Sequence, residues 1–201
     1  MLVSDNGGGG TFEQAPVGAH VARCVKLIDI GTHHGEYEGV PNVRHQIIIG
    51  WELPGETIQT GDYAGQPFAV SEFYTLSLSE KSKLRPMLES WRGKPFSEDE
   101  LRGFDLKNLL GKPCMIQVGR NKKDRAKVQA VMSLPKGMAV PEQVNPSVYF
   151  DIATFDGFDA LTDGIKGLVQ KSDEWAARSG TPSASAQSDD FVDDNLADVP
   201  F

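Results

Sequence analysis

Cysteine is scarce in this chain of 201 residues: Cys24 and Cys114 stand alone. Two isolated thiols cannot supply the disulfide framework of a small secreted domain; they fit reduced, buried side chains in a cytosolic protein. A bridge between the two has no support in their spacing. No run of about 18 apolar residues is present, so no membrane-spanning helix and no membrane partner are expected. No basic segment followed by an apolar one opens the chain, so no secretory signal is expected and the protein is placed in the cytoplasm.

Signatures of cofactor and metal chemistry are missing too. The Gly7–Gly10 run is followed by no Gly-Lys-Ser/Thr and preceded by no strand, so it is not a phosphate loop. Gly93-Lys94-Pro95 and Gly111-Lys112-Pro113 fail the same test. His33-His34 with Glu36 lacks the spacing of common zinc motifs and reads as the tip of a loop. No Cys-His or Ser-His-Asp constellation stands out, and the carboxylates are scattered rather than grouped as in a nuclease. The expectation is a protein without cofactor or metal, and not an enzyme.

The most informative absence is that of lysine and arginine after Arg178. That stretch holds Asp189, Asp190, Asp193, Asp194 and Asp198, which account for five of the eight net negative charges. It closes on Asp198-Val199-Pro200-Phe201. Mutual repulsion of the carboxylates and the missing donor of Pro200 exclude a buried helix or strand there. An acidic arm tipped by an aromatic ring suits capture by a basic, apolar pocket on another protein, with Asp193, Asp194, Asp198, Val199, Pro200 and Phe201 as the docking residues. The opposite polarity lies mid-chain, where residues 81–136 hold 14 Lys/Arg against 6 Asp/Glu. A basic middle and an acidic tail are the arrangement in which a tail competes with a polyanion for one groove.

Composition and patterning divide the chain into a flexible N-terminus (residues 1–11), one domain (12–178) and a linker with an acidic tail (179–201). Apolar periodicity predicts strands over His20–Ile30, Asn42–Leu53 and Phe68–Leu76, with residues 31–41 as a glycine-punctuated loop and Pro54-Gly55 as a break. Val43, Ile47, Ile49, Trp51 and Leu53 share one face of the second strand. The period then turns helical: Ser79 caps a helix through Trp91, with Pro86 awkward inside it, and Ser97-Glu98-Asp99-Glu100 is a capping box for a second short helix. Pro113–Val118 and Lys127–Leu134 read as two strands joined by a basic turn. Ser147–Ile152 reads as one more strand and Asp159–Arg178 as a terminal helix.

Three strands, a helical insertion and a two-stranded hairpin are the element order of an OB-fold, a five-stranded Greek-key barrel. Small SH3-like barrels and some α+β domains share that order. The C-terminal tip closely resembles that of bacterial single-stranded DNA-binding proteins (SSB), where acidic residues precede a terminal Pro-Phe; Val199 and the interruption at Asn195-Leu196-Ala197 are departures from it. Phe12-Glu13-Gln14-Ala15-Pro16, Gly50-Trp51-Glu52-Leu53-Pro54, Tyr74-Thr75-Leu76-Ser77-Leu78 and Trp91-Arg92-Gly93-Lys94-Pro95-Phe96 look like phage and prophage proteins of early replication or recombination genes, over roughly residues 12–175. The resemblance implies an OB-fold phage SSB that coats single-stranded DNA in the host cytoplasm and recruits replication or recombination proteins through its tail. The alternative is an adaptor or recombination accessory acting through protein contacts. Monomer and dimer remain open.

Binding of single strands without sequence preference needs cations along a groove and flat rings for bases to stack on. Arg120, Lys122, Lys123, Arg125 and Lys127 put five bases in eight residues at the turn between strands four and five. Lys107, Lys112 and Arg44 are further candidates. Among the aromatics, Trp51 and Tyr74 alternate with core residues, whereas Phe73 points to the opposite face and Tyr37 sits in the predicted loop; these two are the stacking candidates.

Overall fold

The computed structural model describes residues 13–37 and 39–180; the expected N-terminal segment, the docking residues and nearly all of the linker lie outside them. The fold is mixed α/β and mainly β. Its elements are β1 (Gly18–Tyr37), β2 (Val40–Thr57), β3 (Pro67–Thr75), α1 (Leu84–Arg92), α2 (Glu98–Arg102), β4 (Pro113–Arg120), β5 (Ala126–Met132), β6 (Val148–Phe150), α3 (Asp163–Val169) and α4 (Asp173–Ser179). Short 3-10 turns occur at Leu106–Leu109 and Phe158–Ala160.

The strands form one six-stranded sheet in the order β3-β2-β1-β4-β5, with neighbours antiparallel, and β6 adds to β1 in parallel. The expected five-stranded closed barrel is therefore corrected to a six-stranded open sheet: no ladder joins β3 to β5 among the described residues. The two still approach each other, since Lys127 Nζ on β5 lies 3.6 Å from Glu72 Oε1 on β3.

β1 and β2 are longer than their apolar patterns predict. The expected loop over residues 31–41 is instead a hairpin, with His33 opposite Arg44 and Tyr37 opposite Val40. The connection is only residues 38–39, and Gly39 takes φ +78°, the conformation that two-residue hairpin turns demand. Pro54 and Gly55 do not break β2. The β2–β3 register jumps from Leu53 to Thr57, so Pro54 falls where no ladder donor is required.

α1 starts at Leu84 rather than near Ser79, which puts Pro86 in its first turn. Amides there have no intrahelical acceptor, so the proline costs no helical bond. At α2 the capping box is complete, with Ser97 Oγ accepting from Glu100 N and the Glu100 carboxylate accepting from Ser97 N. The single terminal helix is corrected to a 3-10 turn followed by α3 and α4. Ser172 ends the run because its hydroxyl accepts from Trp175 N and so starts a new helix.

Both faces of the sheet are covered. On one, Trp51, Ile49, Leu53 and Ile116 meet Leu84, Leu88 and Trp91 of α1. The rings of Trp51 and Trp91 are 6.0 Å apart. On the other, Ile28, Ile30 and Ile48 meet Phe150, Ile152, Leu161, Ile165 and Val169 from the C-terminal elements. The run Ile47-Ile48-Ile49 therefore has no solvent face. Val43, expected on the core face of β2, lies beyond the covered region and is 58% exposed. Leu76, just past β3, is likewise exposed.

Candidate nucleic-acid interface

The β4–β5 connection is a tight, internally bonded turn. Asn121 Oδ1 accepts from Lys123 N and Arg125 N, both at 2.9 Å, and Asp124 adopts φ +58°, a conformation that aspartate tolerates better than most residues. With its backbone fixed by its own side chain, the turn holds Lys122 and Lys123 exposed and Arg125 half-buried. Arg120 is more enclosed. Its Nε lies 4.0 Å from Asp124 Oδ1, and its buried Nη1 finds no partner among the described residues. Lys127 is engaged by Glu72. The five expected bases therefore fall into an outward pair, Lys122 and Lys123, and three that are partly enclosed.

That ion pair also brings the turn's base beside β3, where Glu72 immediately precedes Phe73. Phe73 lies opposite Ile48 in the β2–β3 register and packs, partly buried, against the second hydrophobic cluster. Some of the ring expected for stacking is thus used in holding the C-terminal elements. Tyr37 ends β1, and its side chain lies outside the described set.

Lys107 and Lys112 form a separate group. Lys112 directly precedes β4, whose length separates it from the turn by roughly 24 Å, at ~3.4 Å per residue, and Lys107 lies in the 3-10 turn before it. Lys112 is exposed, and Lys107 Nζ stands 4.6 Å from the ring centre of Tyr149, close enough for a cation–π contact. Tyr149 itself is 37% exposed. It was not expected as a binding residue, and its alternation with Val148 and Phe150 is the signal that puts it on the uncovered side of β6. Arg44 is exposed near the far end of the β1–β2 hairpin. The fold does not bring all the expected cations into one patch.

The histidines of β1 and β2 have other work. His33 is buried, with Nε2 2.9 Å from Ile30 O, and burial lowers its pKa. His34 Nε2 lies 2.8 Å from Asp173 Oδ2. His45 Nε2 is 2.6 Å from Asp29 Oδ1, and its Nδ1 is 3.5 Å from Glu174 Oε1. The hydrogen bond with Asp29 raises the His45 pKa above the ordinary value, against the opposing effect of burial. Glu174 also accepts from Thr32 N and Thr32 Oγ1, each at 2.7 Å. Burial works to raise its carboxyl, and the Thr32 bonds outweigh it, so the net shift is downward. These contacts clasp α4 to the β1–β2 hairpin. Gly31 permits the clasp: it takes φ +84°, and a Cβ there would sit 2.5 Å from Glu174 Oε2.

A second polar feature was not expected. Lys26 is only 3% exposed, on the sheet face covered by the C-terminal elements. Burial lowers its amine to about 8. Its sequence signal is a lysine inside the apolar run Cys24-Val25-Lys26-Leu27-Ile28. Nearby, Glu52 is fully buried and accepts from Val144 N, Asn145 N and Asn145 Nδ2 at 2.8–3.0 Å, anchoring the strand-to-strand loop that leads into β6.

Among the described residues no helix is long and apolar enough to cross a membrane, and no group of three or more His, Cys, Asp or Glu is arranged to hold a metal ion. No protein-family model and no curated protein matches the chain.

Proposed function

We propose that the protein binds single-stranded DNA without sequence preference, using an OB-type sheet whose β4–β5 turn contacts phosphates. The carrying observation is that turn: a self-bonded loop with Lys122 and Lys123 outward and its base held beside β3 through Lys127 and Glu72. The strand order adds support. β1 lies between β2 and β4, helices lie between β3 and β4, and β3 comes near β5; that order is compatible with an OB-type arrangement in which the β3–β5 ladder is absent. The acidic tail, in the same reading, docks replication or recombination proteins of a phage-infected or lysogenic cell. The resemblance of its tip to bacterial SSB supports that assignment.

Titration of a labelled oligo-dT with salt is the test. Several phosphate contacts give a log–log slope of about −0.7 per contact on single strands. Replacing Lys122 and Lys123 with alanine is expected to lower that slope by ~1.4 and to weaken binding at low salt. Absence of binding at low salt overturns the reading and favours the adaptor alternative. Deleting residues 189–201 is expected to leave or raise the affinity for oligo-dT.

A further inference from the structure

The chain contains two Asp-Gly bonds, Asp156-Gly157 and Asp163-Gly164. In this dipeptide a backbone nitrogen can attack the preceding side-chain carboxyl, because glycine has no Cβ to shield its nitrogen or to restrict its dihedrals. All four residues are exposed, so exposure does not separate the two bonds. Their backbones do.

Asp163 and Gly164 open α3, and the bond from Lys166 N to Thr162 O, at 2.9 Å, closes a helical turn around them. Ring closure there requires Asp163 to leave the helical dihedrals and costs α3 its first turn. Asp156 and Gly157 instead form the middle of a tight turn. Gly157 takes φ +86° and ψ 4°, the values of the third position of a type II turn. The turn is spanned by Phe158 N and Phe155 O at 3.4 Å, near the limit of a hydrogen bond. Among the described residues the Asp156 carboxylate and the Gly157 N–H have no hydrogen-bond partner.

The surrounding fold keeps this bond in place and strains it. Gly157 resists exchange, since its φ is unfavourable for any side chain and a Cβ would lie 3.2 Å from Tyr149 O. Phe155, just before the bond, takes φ +60°, an outlier for a bulky aromatic residue. Its ring centre lies 6.1 Å from that of Phe150 and 6.0 Å from that of Trp175, and the Arg178 guanidinium stands 4.5 Å over it. Strain of this kind persists only while the surroundings hold it, and a longer backbone beside Phe155 relieves it.

We propose that Asp156 is a site of spontaneous isoaspartate formation in the folded protein and that Asp163 is not. The Gly157 nitrogen gives up its proton and bonds to Asp156 Cγ; a Cγ–O bond breaks, water leaves, and a succinimide ring closes. Water then reopens the ring. Attack at Cγ breaks the new bond and restores aspartate. Attack at the main-chain carbonyl breaks the original peptide bond and leaves the chain running through Cγ, with one more methylene in the backbone. Nothing is oxidised or reduced, and water is the sole co-reactant. The lengthened segment lies between Phe155 and Phe158, whose rings both meet Trp175, so the C-terminal cover loosens while β4 and β5 keep their packing.

The test incubates the full-length protein in heavy-oxygen water at neutral pH, native or in urea, and maps its peptides by mass spectrometry. Each ring opening leaves one heavy oxygen on the aspartate concerned. Native protein is expected to gain label at Asp156 about tenfold faster than at Asp163, the order of factor set by the lost backbone freedom of one residue. In urea the two rates should converge. Asp156→Glu, which would have to close a larger ring, is expected to abolish labelling at position 156 and leave Asp163 unchanged. Equal native rates, faster labelling at Asp163, or label at neither site until urea is added overturns the proposal. The isomerised fraction, separated by chromatography at unchanged mass, is expected to lose amide protection first over residues 148–179; unchanged protection there overturns the effect on the cover. None of these readouts depends on DNA binding.

Discussion

On one face of the sheet Trp51, Leu88 and Ile116 are fully enclosed; on the other Ile28, Ile48 and Phe150 are enclosed just as completely. The two covers differ in how the chain reaches them. α1 lies in a connection between β3 and β4, so both its ends are tied into the sheet. α3 and α4 follow β6, a three-residue strand, and their attachment is completed by the polar clasp of Glu174, His45 and Asp173. Equal burial does not imply equal coupling to global unfolding. The helical insertion is therefore expected to unfold together with the sheet, and the C-terminal cover to open separately.

The largest effect is expected from Trp51→Ala, which removes the central ring of the first cluster and should cost ~3–5 kcal/mol. Its signature is global: the urea midpoint falls and amide protection drops in β2, β4 and α3 together. Protection lost in only one region would break the comparison. Ile165→Ala, under the second cover, should cost ~2–5 kcal/mol, with protection lost first over residues 148–179 while β4 and β5 stay protected. A uniform loss would merge the two faces into one unit.

Gly31→Ala sharpens the contrast further. A non-glycine residue at φ +84°, with Glu174 Oε2 2.5 Å from the new Cβ, should cost ~1–3 kcal/mol, read mainly as exposure of α4. The smallest effect is the pH dependence of the clasp. His45 titrates above its ordinary value, with Asp29, Glu174 and Asp151 around it. Its contribution is therefore fully present below about pH 6.5, the unfolded value, and is lost as pH rises through its raised folded pKa. His33 is shifted downward by burial, so its contribution is present above about pH 6.5 and is lost as pH falls through its lowered value. Protection of α4 should peak between those two folded values. His45→Gln should remove the loss on the alkaline side only; an unchanged profile would show that the clasp does not hold α4.

Features set by neighbours in the chain were legible before any fold was known. Ser97 and Glu100 form the capping box that their three-residue spacing requires, and the cluster Arg120–Lys127 forms a tight turn because Asn121 can bond two following amides. Alternation placed Trp51 and Tyr74 in the core. The hairpin over residues 31–41 was hidden because glycines and histidines carry little strand signal; its pairing with residues 40–46 comes from the long partner strand. Pro86 looked disruptive until the helix start was known. Alternation grouped Ile47 and Ile49 on one face of β2 but does not report that Ile48, on the other face, is covered as well.

Within the candidate interface, the sequence by itself determined the cationic turn and the acidic tail, because charge clusters are properties of adjacent residues. Only the tertiary structure decided that Lys127 is spent on Glu72, that Phe73 is half enclosed and that Lys26 is buried. Those outcomes depend on β3 meeting β5 and on the C-terminal elements packing over β1 and β2, contacts between residues far apart in the chain that no local pattern encodes.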